Sequence, residues 1–137
     1  MGNINLLAVL AGTAVFWLLG AVWYGPLFGR AWRRMNGING RMVKDVTRTT
    51  NPMWLIMLLS FAFEMVVVLM LGHLIARTNP APHVIMMMAT GLAVAVMTPA
   101  LGINYLYQMR PGKLFAIDAG YFVVGMALVG GAFILLA

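Results

Sequence analysis

Residues 20–32 read GAVWYGPLFGRAW, and how this stretch is parsed decides the fold. An apolar run reaches the pair Trp23-Tyr24, breaks at Gly25-Pro26, and passes through Leu27 and Phe28 to Gly29 and Arg30. Where a helix leaves a bilayer, hydrocarbon, aromatic belt and headgroup charge follow one another in that order. Residues 104–121, NYLYQMRPGKLFAIDAGY, carry the same order near the other end, with Tyr105 and Tyr107 ahead of Arg110, Pro111, Gly112 and Lys113. Both stretches are expected at one membrane face.

Composition agrees with that parsing. Of 137 residues, 63% are hydrophobic and 9% charged, with a mean hydropathy of +0.93, which leaves too little polar surface for a fold in water. Nine Lys and Arg against three acids give a net charge of +6 and a pI near 10.6, a balance that alone would admit nucleic acid as a partner. Six of the nine lie between Arg30 and Arg48, beside a span end, where retention on the cytoplasmic side accounts for them; no nucleic-acid partner is expected. The chain has no Cys, so disulfides, thiolate metal sites and Cys nucleophiles are excluded. No Lys or Arg occurs before Leu7 and no small-residue cleavage site precedes the polar segment, so the first apolar run is expected to be kept as a span.

A spanning helix takes about 20 mostly apolar residues at about 1.5 Å rise each. Four runs qualify, at about 4–24, 52–75, 83–107 and 114–137. Gly25-Pro26 is expected to close the first, and Asn51-Pro52 reads as an N-cap followed by a proline at the first helical position of the second. The connections RTNPAP (77–82) and RPGK (110–113) are short enough only for tight antiparallel turns. In the basic segment 29–51, Phe28, Trp32 and Met35 recur at helical spacing opposite Arg30, Arg33 and Arg34, which predicts a short amphipathic helix in the headgroup layer. Met42, Val43 and Val46 against Arg41, Lys44, Asp45 and Arg48 predict a second, weaker amphipathic turn.

The expected fold is one all-α membrane domain over 1–137, four transmembrane helices in an antiparallel bundle with an interfacial helix between spans one and two. The three connections hold six, one and two basic residues in chain order, which puts the first and third inside and both termini outside, in a bacterial inner membrane.

The run Trp-Tyr-Gly-Pro-Leu-Phe-Gly at 23–29 and the run Asp-Ala-Gly-Tyr at 118–121 resemble the two signatures of a bacterial integral-membrane family catalogued as domain of unknown function 1761. The resemblance extends over the whole chain in length, span count and motif placement. It implies a four-span membrane protein with no assigned reaction, and its motif positions are Trp23, Tyr24, Gly25, Pro26, Gly29, Arg110, Lys113, Gly120 and Tyr121. The chain departs from the family pattern at Gln108, where an acid is common, and at Phe122, where a His often follows the Tyr.

Polar residues inside the spans are the candidate sites. Glu64 falls near the middle of the second span, where an acid costs about 2.5 kcal/mol or more to insert and no spanning Lys or Arg can pair with it. Thr13, Thr90, Gly91 and Gly125 count to the same depth. Glu64 is therefore either a functional group, for proton coupling, cation binding or a polar contact to another subunit, or the partner in an interhelical hydrogen bond. Asp118 lies one turn into the fourth span, and symmetry about the turn sets Asn104 opposite it, so an Asn104 amide donating to Asp118 is expected, as a structural clasp or as a ligand site. Close approach of helices is expected at the small-residue pairs Ala8/Gly12, Ala116/Gly120 and Ala127/Gly131.

Pro99 is expected to kink the third span. His73 and His83, symmetric about the outer turn with Met70 and Met86 to Met88 nearby, are the weak candidates for a soft metal ion or a pigment; no cofactor is expected. Ser60 is the one serine and has no His at its depth, so nucleophilic catalysis finds no constellation. Function is accordingly expected to be non-enzymatic: a scaffold or accessory subunit whose partners are the lipid bilayer and other membrane subunits or itself. The alternative is a small proton- or cation-coupled transporter working as a homodimer through Glu64.

Overall fold

The computed structural model describes residues 2–35, 38–39, 42–43 and 51–137. Among the described residues, four helices are long and apolar enough to cross a membrane: Leu6–Leu27, Met53–Thr78, Pro82–Tyr107 and Gly112–Leu135. They run antiparallel in chain order, joined by short turns except where the basic segment intervenes. The protein is an all-α, four-helix membrane bundle.

The first span does not end at Gly25-Pro26. Helix α1 (Leu6–Val22) continues as a π-helical turn over Trp23–Leu27 with Pro26 inside it. Proline lacks the N–H of an α-turn and its ring crowds the carbonyl four residues back; widening the turn relieves both demands, and Phe28 N–H reaches the Trp23 carbonyl five residues back at 2.9 Å. Helix α2 (Gly29–Met35) then starts on Gly29, where a Cβ would stand 2.5 Å from the Tyr24 carbonyl oxygen. Only glycine allows that return. Helix α2 is the expected interfacial helix.

The second amphipathic turn is not formed at Met42-Val43: these residues pair antiparallel with Ile38-Asn39 as two-residue strands. Lys44, Asp45, Val46 and Arg48, the rest of that expected turn, lie outside the described residues, as does Arg41.

Helix α3 (Met53–Thr78) begins one residue later than expected, with Pro52 in the capping position. The third span is α4 (Pro82–Leu92), a second π-helical turn over Ala93–Met97, and α5 (Thr98–Tyr107). Pro99 lies just past the π turn, where Thr98 N–H bonds the Ala93 carbonyl, so the expected perturbation at Pro99 takes the form of a widened turn in a continuous span. Helix α6 (Gly112–Leu135) is the fourth.

Packing places the helices in a row with the chain's first and last spans at its centre. Helix α1 packs against α3 on one side and α6 on the other, and α6 also packs against α4 and α5, whereas α3 and α4 touch little. In keeping with this, 39% of the apolar window of α6 is buried against 17% for the second and third spans. The core is Ala8, Val9 and Phe16 of α1, Val68 and Leu71 of α3, Ile85 and Ala89 of α4, Ala93 of the second π turn, and Tyr121, Met126, Val129 and Phe133 of α6. At the end holding both termini, Gly2 N–H bonds the Ala76 carbonyl at 3.1 Å and Asn5 Nδ2 donates to the Leu136 carbonyl at 2.9 Å.

Small residues divide into two groups. A Cβ on Gly12 would come 3.3 Å from Val129 and 3.4 Å from Val68; one on Gly120 would come 3.0 Å from the Trp23 indole; one on Gly125 would overlap the Phe16 ring. Gly91 and Gly131 have nothing within 4 Å of that position. Close helix approach therefore accounts for the first group and not for the second.

Candidate functional site

The two signature stretches lock onto one another. Trp23 Nε1 donates to the Ile117 carbonyl at 2.9 Å, and its indole lies over Gly120. Tyr24, displayed from the π turn, donates its hydroxyl to Asp118 Oδ1 at 2.5 Å, and Tyr105 of α5 donates to Asp118 Oδ2. Both carboxylate oxygens of Asp118 are thus filled by phenols from the first and third spans. The Arg110 guanidinium carbon stands 5.4 Å from the centroid of the Tyr105 ring, a cation–π distance.

Asn104 is not the partner of Asp118: it is exposed, and the adjacent residue Tyr105 faces inward in its place. Tyr107 is likewise outside the cluster, at 86% exposure. Lys113 is exposed, and Gly25 has open space around it.

Glu64 is buried, eleven residues from Met53 and fourteen from Thr78 on α3. Its Oε1 is paired with the hydroxyl of Tyr121 on α6, and its Oε2 is buried with no hydrogen-bond partner among the described residues. The Tyr121 oxygen also lies 2.9 Å from the Phe16 carbonyl oxygen of α1. One phenol proton faces two acceptors. It can be donated to one of them at a time; the second contact is a hydrogen bond only when Glu64 carries a proton of its own and donates it to Tyr121.

Neither threonine expected at this depth serves Glu64, since Thr13 Oγ1 donates to the Val9 carbonyl at 2.7 Å and Thr90 Oγ1 to the Met86 carbonyl at 2.8 Å, each within its own helix. Counting Cα depth overlooked Tyr121 because a phenol oxygen sits more than a helical turn's rise from its own Cα. No feature of the sequence pairs Tyr121 with Glu64; the structure does so by seating the phenol over Gly20, where a Cβ would stand 2.9 Å from the Tyr121 hydroxyl oxygen.

The two acid sites adjoin. Tyr24 and Tyr121 meet edge to face with ring centroids 5.4 Å apart, and Tyr121 also touches Phe16 and Trp23 at 5.0 and 6.5 Å. The result is a band of aromatic rings holding one acid with both oxygens bonded and one acid with a single oxygen bonded.

Residues 7–134 match the family described as "Protein of unknown function (DUF1761)". The chain belongs to the DUF1761 family. No curated protein and no solved structure matches it. In this DUF1761 protein the two stretches form one contact surface: residues 20–29 supply the glycine seat, the π turn and two aromatic donors, and residues 117–121 supply their acceptors and the second tyrosine.

At the opposite end, His73 and His83 are both exposed, and among the described residues no group of three or more His, Asp or Glu side chains converges on a point that would hold a metal ion. His73, nine residues along the helix from Glu64, borders an open pocket of about 520 Å³ between the N-terminal residues Gly2 to Ile4 and the end of α3 at Arg77.

Proposed function

We propose that this DUF1761 protein is a non-enzymatic proton-handling membrane protein, a small transporter in which Glu64 takes up and releases a proton. The observation that carries this reading is the unpartnered, buried Oε2 of an acid in the middle of a span. An acid kept for structure alone is expected to have both oxygens bonded, as Asp118 does three residues from Tyr121 on the same helix. The surroundings favour a proton over a larger ion, because the Tyr121 phenol that meets Oε1 is packed against Gly20, and the Phe16 ring beside it against Gly125, so closely that not even a methyl group at either glycine would fit without displacement. Any larger cargo would lie between two copies of the chain, which is why the reading includes a homodimer.

The proposal includes an orientation in a bacterial inner membrane: Arg30, Arg33, Arg34, Arg110 and Lys113 on the cytoplasmic side, Arg77 and both termini outside. The test is proton flux into proteoliposomes carrying a trapped pH dye under an imposed gradient. Wild-type protein is expected to dissipate the gradient, with the rate lost in Glu64→Gln at unchanged reconstitution. Equal flux in the variant, or none in wild type, overturns the reading.

A second reading, an accessory subunit of a larger membrane assembly, is favoured by the open row. The second and third spans form its edges and are mostly uncovered. Gentle solubilisation from the native membrane would then recover a stoichiometric partner, and a chain recovered alone as a monomer counts against it.

A further inference from the structure

We infer that Tyr121 is a positioning residue that passes the protonation state of Glu64 to the first span. The inference rests on the proton reading of Glu64 and specifies how a proton on α3 is felt elsewhere. Tyr121 Oη is within hydrogen-bonding reach of the Phe16 carbonyl on α1 and of Glu64 Oε1 on α3, while its own backbone belongs to α6. Three spans meet at one oxygen.

The hydroxyl has two positions. With Glu64 protonated, the carboxylic acid donates to Tyr121 Oη, Tyr121 donates to the Phe16 carbonyl, and α3, α6 and α1 are joined in series. When Glu64 loses its proton to the aqueous phase, the carboxylate becomes the stronger acceptor and the Tyr121 hydroxyl turns to it, leaving the Phe16 carbonyl with its helical bond alone. Tyr121 keeps its proton throughout and changes only the atom it is aimed at.

The Phe16 carbonyl is open to this second donor because the residue one turn on is Gly20. Any side chain there would cover the carbonyl and strike the phenol, its Cβ falling 2.9 Å from Tyr121 Oη. The Phe16 ring, 5.0 Å from that of Tyr121 and packed where a Gly125 Cβ would be, holds the phenol from the other side. Ionisable groups around Glu64 are few. Helix α1 has none over Leu6–Val22; α6 brings Tyr121, with Asp118 and Lys113 nearer its start; α4 brings His83 at the far end of the bundle. Tyr24 touches Tyr121 through its ring and spends its own proton on Asp118.

The sequence makes both ends of the switch separately observable. Glu64 is the one glutamate in the chain, so δ-13C glutamate labels its carboxyl alone, and Phe16-Trp17 is the one Phe-Trp step, so carbonyl-13C phenylalanine with 15N tryptophan selects the Phe16 carbonyl. In solid-state NMR of the full chain in lipid bilayers, both signals are expected to move over the same pH range in wild type. In Tyr121→Phe the Glu64 carboxyl is expected still to titrate, at a displaced midpoint, with the Phe16 carbonyl unmoved; Gly20→Ala, which displaces the phenol, is expected to uncouple the two in the same way. A Phe16 signal that stays fixed while Glu64 titrates in wild type overturns the inference without any variant, and so does an equal Phe16 shift in Tyr121→Phe. A Glu64 carboxyl that does not titrate at all overturns the proton reading itself.

Discussion

Asp118 and Glu64 carry the same functional group inside the bundle and are held in different ways. Asp118 takes one phenol on each oxygen, a closed arrangement that ties the first, third and fourth spans together. Removing one donor leaves a part-buried carboxylate oxygen without its bond, which costs about 1–3 kcal/mol. Tyr24→Phe is therefore expected to lower stability by that amount in unfolding from mixed micelles, whereas Tyr107→Phe, at an exposed position, is expected to leave it unchanged. The sequence pointed to both acids, since an acid in an apolar run is conspicuous on energetic grounds alone. It did not reveal their partners. Rotation about a helix axis separates neighbours such as Asn104 and Tyr105 by about 100°, and residue counting fixes depth but not which of the two faces inward.

At the scale of elements, helix ends were legible to within a few residues and helix interiors less so. Gly25-Pro26 and Pro99 look like breaks in a list of residues, yet both spans continue through or beside them as π turns. A membrane explains the difference: an interrupted helix would leave carbonyls unsatisfied in hydrocarbon, so the chain widens a turn rather than stopping. The RPGK turn hides another element. Gln108 ends α5 and Met109 follows with φ of 53°, while Met109 N–H bonds the Leu106 carbonyl at 3.2 Å and Arg110 N–H bonds the Tyr105 carbonyl at 3.0 Å. That double bond pattern is a Schellman cap with methionine in the left-handed position that glycine favours. Met109 is 92% exposed, so little packing is lost on truncation. Met109→Gly is expected to stabilise the protein by about 1 kcal/mol, read as a raised unfolding midpoint.

For the whole molecule, four hydropathic runs and two short connections sufficed to predict an antiparallel bundle. The lateral order of the helices did not follow from them, because small residues on several faces permit several neighbours. Gly12 and Gly125 turned out to mark real contacts, and Gly91 and Gly131 did not. The ends of the chain are joined through Asn5, whose Oδ1 caps α1 by accepting from Ala8 N–H at 3.1 Å while its Nδ2 holds the last turn of α6. Asn5→Ala removes both bonds, and loss of the cap alone costs about 1 kcal/mol. Hydrogen exchange is expected to rise at the start of α1 and the end of α6 together, with the tyrosine cluster at the opposite end unaffected; a rise at α1 alone would show the two ends to be independent.

The central position of α1 and α6 also bears on biosynthesis. A nascent chain that has delivered three spans to the membrane still lacks the surface on which the first and third of them pack, so the first helix, supported on one side by the second span, keeps its other side uncovered until the fourth arrives. Insertion can proceed span by span, but the interior between the first and third spans closes only when the fourth is in place.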